Sequence, residues 1–453
     1  MVGLGKFIGS MTQRWSNSPV LRNSVAAFAL RITGAVLLFA FNFLIVRLLG
    51  VSDSGVFFLA MTIINIVGTL LLLGIDQLTL RKLSAVGQSK SESSRHIFII
   101  SGQLLVISSV VGAAIVAVLS GKLGDVFSST ELSDVILILS LSLPFLNLSA
   151  LLGETLRAKK KFAYSVFITT NSLYVIAIPV FVVFGLTDKA SLRGVATGFF
   201  VSTIFCLLVN TLLFRKNYPL RRARDLAASR HIASYTKTLM ESYHLFWVSA
   251  LYLSMAWIDI LIVGFFLPPD QVSIYSIASK IAKLMTFPLF AINTIIAPRI
   301  SASFSRNDKR ALNIESQKST LLSIAFSLPL LLVFMAFPAF LMGIFGDEFR
   351  GSSGVLRILV LGQAINCFTG AVIVILTMIK QERKVNLISF VGISLQIVLG
   401  IVLTPRYGMT GMALATLVGG AVLNISGALI LLRSHGINVV PGIKLVKQMR
   451  GSK

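Results

Sequence analysis

Acidic residues are scarce in this chain. Over 453 residues, 17 Asp and Glu stand against 41 Lys and Arg, and charged residues of both signs make up only 13%. Apolar residues make up 55%, which excludes an ordinary soluble domain. There are two cysteines, Cys206 and Cys367, and both fall inside apolar runs. That excludes a disulfide framework, so they are expected to be small buried apolar residues. The four histidines, His96, His231, His244 and His435, have no metal-ligand spacing, so no metal or cofactor is expected. A GxxxxGK[ST] phosphate loop is absent, which excludes ATP hydrolysis by that route. So is the G-x-S-x-G elbow of an acyl hydrolase. No sizeable external loop is predicted to carry the acid–base groups of a membrane glycosyltransferase or polymerase.

Long apolar runs are what the chain has instead. Windows of about 20 residues give about twelve candidate spans. They lie near 24–48, 55–75, 97–119, 134–153, 163–186, 193–214, 245–267, 273–297, 319–345, 354–379, 385–404 and 408–432. The expected fold is an all-α integral membrane protein. A basic lead-in (1–23) precedes an N-lobe (24–214), a basic linker (215–244), a C-lobe (245–432) and a basic tail (433–453). The first 20 residues are polar and no small-residue cleavage site follows span 1, so no cleavable signal peptide is expected.

The formal charge of +24 is sorted along the chain, and the sorting argues against a nucleic-acid partner. Lys and Arg concentrate in the lead-in, after even-numbered spans and in the tail, most densely between Arg215 and Lys237. The positive-inside rule therefore places both termini in the cytoplasm, with the basic loops against anionic headgroups. The segment GKLGDVFSSTELS (121–133) is expected to be one of the longest external loops.

Weak internal repetition supports two lobes of six spans. At an offset of 218 residues Phe57 matches Tyr275 and Arg81 matches Arg299, and Gly194-Val-Ala-Thr resembles Gly411-Met-Ala. An even number of spans per half gives both halves one orientation, so their pseudo-two-fold axis stands along the membrane normal.

Charge inside the spans is the strongest functional signal. Arg31 lies in span 1, Asp259 in span 7, and Lys280 and Lys283 in span 8. Ser273, Ser276, Lys280, Lys283 and Thr286 recur at spacings of three and four, one face of a helix. An ammonium in hydrocarbon costs at least about 2.5–3.5 kcal/mol, so this face is expected to look into protein or water. Asp259 and Lys280 sit at similar depth about the LPPDQV turn. Two readings follow: a structural ion pair, or the cationic wall of a mid-membrane cavity. One carboxylate cannot neutralise two lysines, which favours the cavity. Asn65, Gln363 and Asn366 are candidate polar lining residues, and Pro329 and Pro338 are expected within span 9.

RLLGVSDSGVF, GIDQLTLRKLS, WIDILIVGFFLPPDQVSIYSIASKIAKL, APRISASFSRNDKR and IFGDEFRGSSGVLRILVLGQAIN carry a family resemblance over nearly the whole chain. They resemble the polysaccharide-transporter (O-antigen flippase) branch of the multidrug/oligosaccharidyl-lipid/polysaccharide exporter superfamily. The resemblance implies a MATE-like fold in the bacterial inner membrane. It also implies a flippase for undecaprenyl-diphosphate-linked oligosaccharide of O-antigen, capsule or exopolysaccharide. Expected partners are that substrate, the bilayer, H+ or Na+ as coupling ion, and the polymerase and chain-length proteins of the pathway. Lipid II flippases of the same superfamily are also similar, with Arg31 and Lys280 at places comparable to their cationic cavity residues. They have more spans than this chain. A cation-coupled multidrug antiporter would want a carboxylate-rich cavity, against three cations and one aspartate here.

The topology is open to direct measurement. Reporter fusions at Arg224 and Arg306 should read cytoplasmic and fusions at Asp125 and Asp347 external. The reverse pattern rejects the assignment.

Overall fold

The computed structural model describes residues 19–86, 91–186, 191–218 and 232–440. The lead-in before residue 19, the stretch 219–231 of the linker and the tail after residue 440 lie outside the described residues. Among the described residues every regular element is a helix. In chain order these are α1 (Pro19–Leu71), α2 (Ile75–Val86), α3 (Ser91–Val126), α4 (Thr130–Ser140), α5 (Leu143–Ala158), α6 (Phe162–Val166), α7 (Ser172–Leu186) and α8 (Leu192–Asn217). Then come α9 (Ile232–Phe266), α10 (Pro269–Lys283), α11 (Phe287–Ser305), α12 (Lys309–Ala336), α13 (Pro338–Gly343), α14 (Asp347–Arg350), α15 (Ser353–Thr369), α16 (Val372–Met378) and α17 (Glu382–His435). A π turn, Phe167–Asn171, joins α6 to α7, and a 3-10 turn, Leu284–Thr286, joins α10 to α11. The chain divides into two compact units, Met1–Trp257 and Ile258–Lys453.

Length decides how the two longest helices are read. α17 has 54 residues, about 80 Å at about 1.5 Å per residue, against a hydrocarbon core of about 30 Å. Both α1 and α17 are broken inside: Gly50 has φ 74° and ψ −176°, and Gly408 has φ 59° and ψ −143°. Only glycine takes such angles without a Cβ penalty. Gly50 falls between the expected spans 24–48 and 55–75, and Gly408 is the first residue of the expected span 408–432. Among the described residues six helices are long and apolar enough to cross a membrane, or up to nine if each bent pair is one span. Their outer faces suit lipid. Val118, Leu212, Phe326 and Phe340 are all more than half exposed, a pattern that water would penalise.

One expected loop is replaced by helix. α3 continues to Val126 and α4 starts at Thr130, so residues 121–133 form a tight turn and not a dozen-residue external loop. The Ser129 hydroxyl accepts from the Leu132 N–H and caps α4, and Leu132, at the start of α4, is fully buried. Similarly, the stretch assigned to the linker is already helical from Ile232 onward. Pro329 lies inside α12, whereas Pro338 opens the separate α13, where its missing N–H costs nothing.

Unit 1 is built on an aromatic knot. Phe41 of α1 meets Tyr174 and Phe181 of α7 and Phe199 of α8 at ring distances of 5.3, 5.5 and 6.2 Å, and Phe57 closes on Phe199 at 6.1 Å. Unit 2 has an aliphatic core in which Ile292 and Ile296 of α11, Val372 and Ile375 of α16, and Ile388 and Leu431 of α17 pack together. In α17 the segments before and after Gly408 approach through glycine. A Cβ at Gly419 would lie 2.8 Å from the Gly392 carbonyl oxygen, whereas one at Gly420 meets nothing within 4 Å. Gly419→Ala should therefore lower thermal stability by about 1–3 kcal/mol, the usual cost of overpacking, and Gly420→Ala should not. Equal melting temperatures for the two variants in detergent would refute this packing.

Candidate functional site

Building from Asp259 outward, the carboxylate lies near the end of α9 and is 2% exposed. A carboxylate removed from water needs donors. Tyr275 Oη and Ser279 Oγ of α10 each donate to its Oδ2 at 3.4 Å, and the Ile260 N–H donates to Oδ1 at 3.0 Å. Tyr275 and Ser279 are four apart, so they share a face of α10. The polar chain continues into α17. Thr416 Oγ1 is 3.2 Å from Tyr275 Oη, and Gln396 Nε2 donates to Thr416 Oγ1 at 3.3 Å. With the Tyr275 proton committed to Asp259, the Thr416 hydroxyl donates to Tyr275. Every donor in the chain then points toward the carboxylate. The hydroxyl contacts at 3.4 Å are longer than ordinary O–H···O bonds of about 2.5–3.0 Å, so the carboxylate is held loosely.

The other predicted residues lie on several helices of the two units. On α10, Ser276 is fully buried with no hydrogen-bond partner for its Oγ among the described residues, Lys280 is half-buried and Lys283 is exposed. The face expected to run on to Thr286 ends early. α10 gives way to the 3-10 turn after Lys283, and the half-buried Thr286 returns its hydroxyl to the Lys283 carbonyl at 2.8 Å. The residue of this stretch that donates to Asp259 is Ser279, one residue before Lys280 and about 100° away around the helix. Gln363 and Asn366 are half-buried on α15. In unit 1, Arg31 is exposed on α1, one residue after Leu30, whose carbonyl accepts from Asn171 Nδ2 of the π turn at 2.9 Å. Asn65 Nδ2 returns to the Met61 carbonyl at 2.7 Å.

Gln396, Thr416 and Ser279 were not singled out by sequence reasoning. Gln396 carries a usable signal, being the one amide in the apolar run ISLQIVLG. A serine or threonine in a span carries almost none, since such hydroxyls usually bond back to their own helix, as Ser316, Thr320 and Ser327 of α12 do here.

A family model described as "Polysaccharide biosynthesis protein" matches residues 44–353. A probable low-salt glycan biosynthesis flippase of Haloferax volcanii is 28% identical over 171 residues, 37% of this chain and 36% of that protein. An uncharacterized membrane protein of Methanocaldococcus jannaschii is 21% identical over 225 residues, 48% of this chain and 43% of that protein. These matches thus span less than half the length of either curated relative. In structure the chain is similar to a lipid II flippase in its inward closed conformation, with a TM-score of 0.73, 18% identity, and 95% of this chain and 90% of the other covered. It is also similar to an inward-facing multidrug resistance MATE family transporter, with a TM-score of 0.67, 14% identity, and 95% and 100% covered. At these identities the likeness establishes the fold.

The polar chain predicts energetic coupling across α10 and α17. In a double-mutant cycle, Tyr275→Phe and Thr416→Val should be non-additive in thermal stability by about 0.5 kcal/mol or more. Additive losses would dissolve the chain into separate contacts.

Proposed function

Because this chain belongs to the polysaccharide biosynthesis protein family, we propose that it is a multi-pass membrane transporter, not an enzyme, that flips a lipid-linked glycan. The substrate is an oligosaccharide on undecaprenyl diphosphate, of the O-antigen, capsule or exopolysaccharide type. The protein lies in the inner membrane, crosses it about twelve times and keeps both termini in the cytoplasm. The observation that carries the substrate reading is the pair of lysines on α10, one of them half-buried in an otherwise apolar bundle. A cation kept there at a cost of about 2.5–3.5 kcal/mol calls for an anionic ligand, and a diphosphate is one. Lys280 and Lys283, with Arg31 from unit 1, replace the hydration of the diphosphate while the polyprenyl tail stays in lipid. Asn65, Ser276, Thr286, Gln363 and Asn366 serve the sugars by hydrogen bonding.

Without a phosphate loop the drive is an ion or membrane-potential gradient, or consumption of the product outside. One charge moved across the membrane is worth about 2.3 kcal/mol per 100 mV. Asp259 is suited to take up the H+ or Na+. It is buried, loosely held by hydroxyls, and α9 and α10 both contribute to its surroundings. Surface glycan in a strain dependent on this protein supplies the test. The Lys280→Gln/Lys283→Gln double variant should lose at least about tenfold, the value of one charge-assisted contact, and the corresponding Arg variants far less. Unchanged display in the Gln variant overturns the cationic reading. In vesicles with an imposed gradient, Asp259→Asn should lose its response to that gradient, and an unchanged response removes Asp259 from coupling.

A further inference from the structure

A second cationic feature lies in unit 1, on residues the transport reading does not use. α2, α3 and the start of α9 enclose a cavity of about 240 Å³. Its basic groups are Lys82 of α2, His96 of α3 and Lys237 of α9, and its apolar floor is Leu78, Ile97 and Ile100. Lys82 also pairs with Glu241 of α9 at 2.5 Å, so one carboxylate answers two lysines. Tyr235 Oη donates to Gln103 Oε1 of α3 at 2.7 Å and holds the α9 side of the cavity in place. The wall is therefore built from three helices tied by side chains, and it is not a patch of loose surface lysines.

We propose that this cavity seats the headgroup of an anionic phospholipid, which pins the start of α9 to α2 and α3. Two observations favour a lipid over a free anion. The lining is amphipathic, combining cations with aliphatic side chains, as a phosphodiester with its attached glycerol and acyl chain requires. The depth is right: the apolar run of α3 expected from residue 97 onward starts at this cavity, which puts His96 to Ile100 at the boundary of headgroups and hydrocarbon. Lys82 and Lys237 bond the phosphate oxygens from two helices, and His96 adds a ring N–H. Glu241 competes with the phosphate for Lys82.

The test is thermal unfolding of the purified full chain in neutral detergent, titrated with phosphatidylglycerol, phosphatidylcholine, glycerol 3-phosphate or inorganic phosphate. Phosphatidylglycerol should raise the melting temperature saturably, phosphatidylcholine should not, and the two free phosphates should act only at far higher concentration. Lys82→Gln/Lys237→Gln should weaken the phosphatidylglycerol response about tenfold or more, each basic residue near a charged lipid surface being worth several-fold. Arg383→Gln, a charge removed from unit 2, should leave it unchanged. Glu241→Gln should strengthen it, and this variant decides the matter where the double variant fails to fold. Equal responses to both phospholipids, saturation by inorganic phosphate at the same concentration, a double variant that titrates as the parent, or no gain in Glu241→Gln each overturn the proposal.

Discussion

A backbone carbonyl or N–H in hydrocarbon has no water to turn to, and each one left alone costs several kcal/mol. This constraint makes the protein helical and also governs where its helices break. At two of the breaks a side chain from another helix supplies a bond, and at a third the break's own side chain reaches another helix. Ser108 of α3 donates to the Leu71 carbonyl at 2.8 Å, where α1 ends. Cys367 of α15 donates to the Met285 carbonyl at 3.4 Å, inside the 3-10 turn after α10. Asn171, at the end of the π turn, donates to the Leu30 carbonyl of α1. The breaks are therefore packed features, which lets irregular backbone persist at membrane depth.

Polar side chains inside the two units follow the same economy by different routes. In unit 1, Ser172, Cys206 and Asn210 share hydrogen bonds around one thiol, and Asn147 reaches Ser109 at 2.9 Å. These contacts tie helices together without charge. In unit 2 the hydroxyls and amide of Tyr275, Ser279, Thr416 and Gln396 are turned toward Asp259, so the network has a polarity and one ionisable end. A directional chain ending on a carboxylate responds to what that carboxylate binds. A neutral cluster does not, which is why the proposed coupling is placed in unit 2.

The charge distribution links the two proposals. In the proposed scheme, cations on α10 answer a substrate diphosphate, and cations near the end of α2 and the start of α9 answer the phosphates of the bilayer. Both are phosphate chemistry, separated by depth. At the headgroup boundary water screens the lysines and Glu241 balances one of them at little cost. Lys280 is half-buried, so there is less water to share its charge.

The sequence by itself determined the membrane class and the helical content. These depend on local quantities: apolar run length and the scarcity of charged residues. It also marked Asp259, Lys280 and Lys283, because an ion in a span is conspicuous wherever it points. What only the tertiary structure decided was partnership. Ser279 and Tyr275 reach the carboxylate because four residues of helix bring both onto one face of α10. Gln396 and Thr416 reach Asp259's network because α17 folds back at Gly408 and brings two distant stretches beside α10. Rotation about a helix axis and the meeting of distant segments are set by packing against neighbours. No local pattern of residues encodes them.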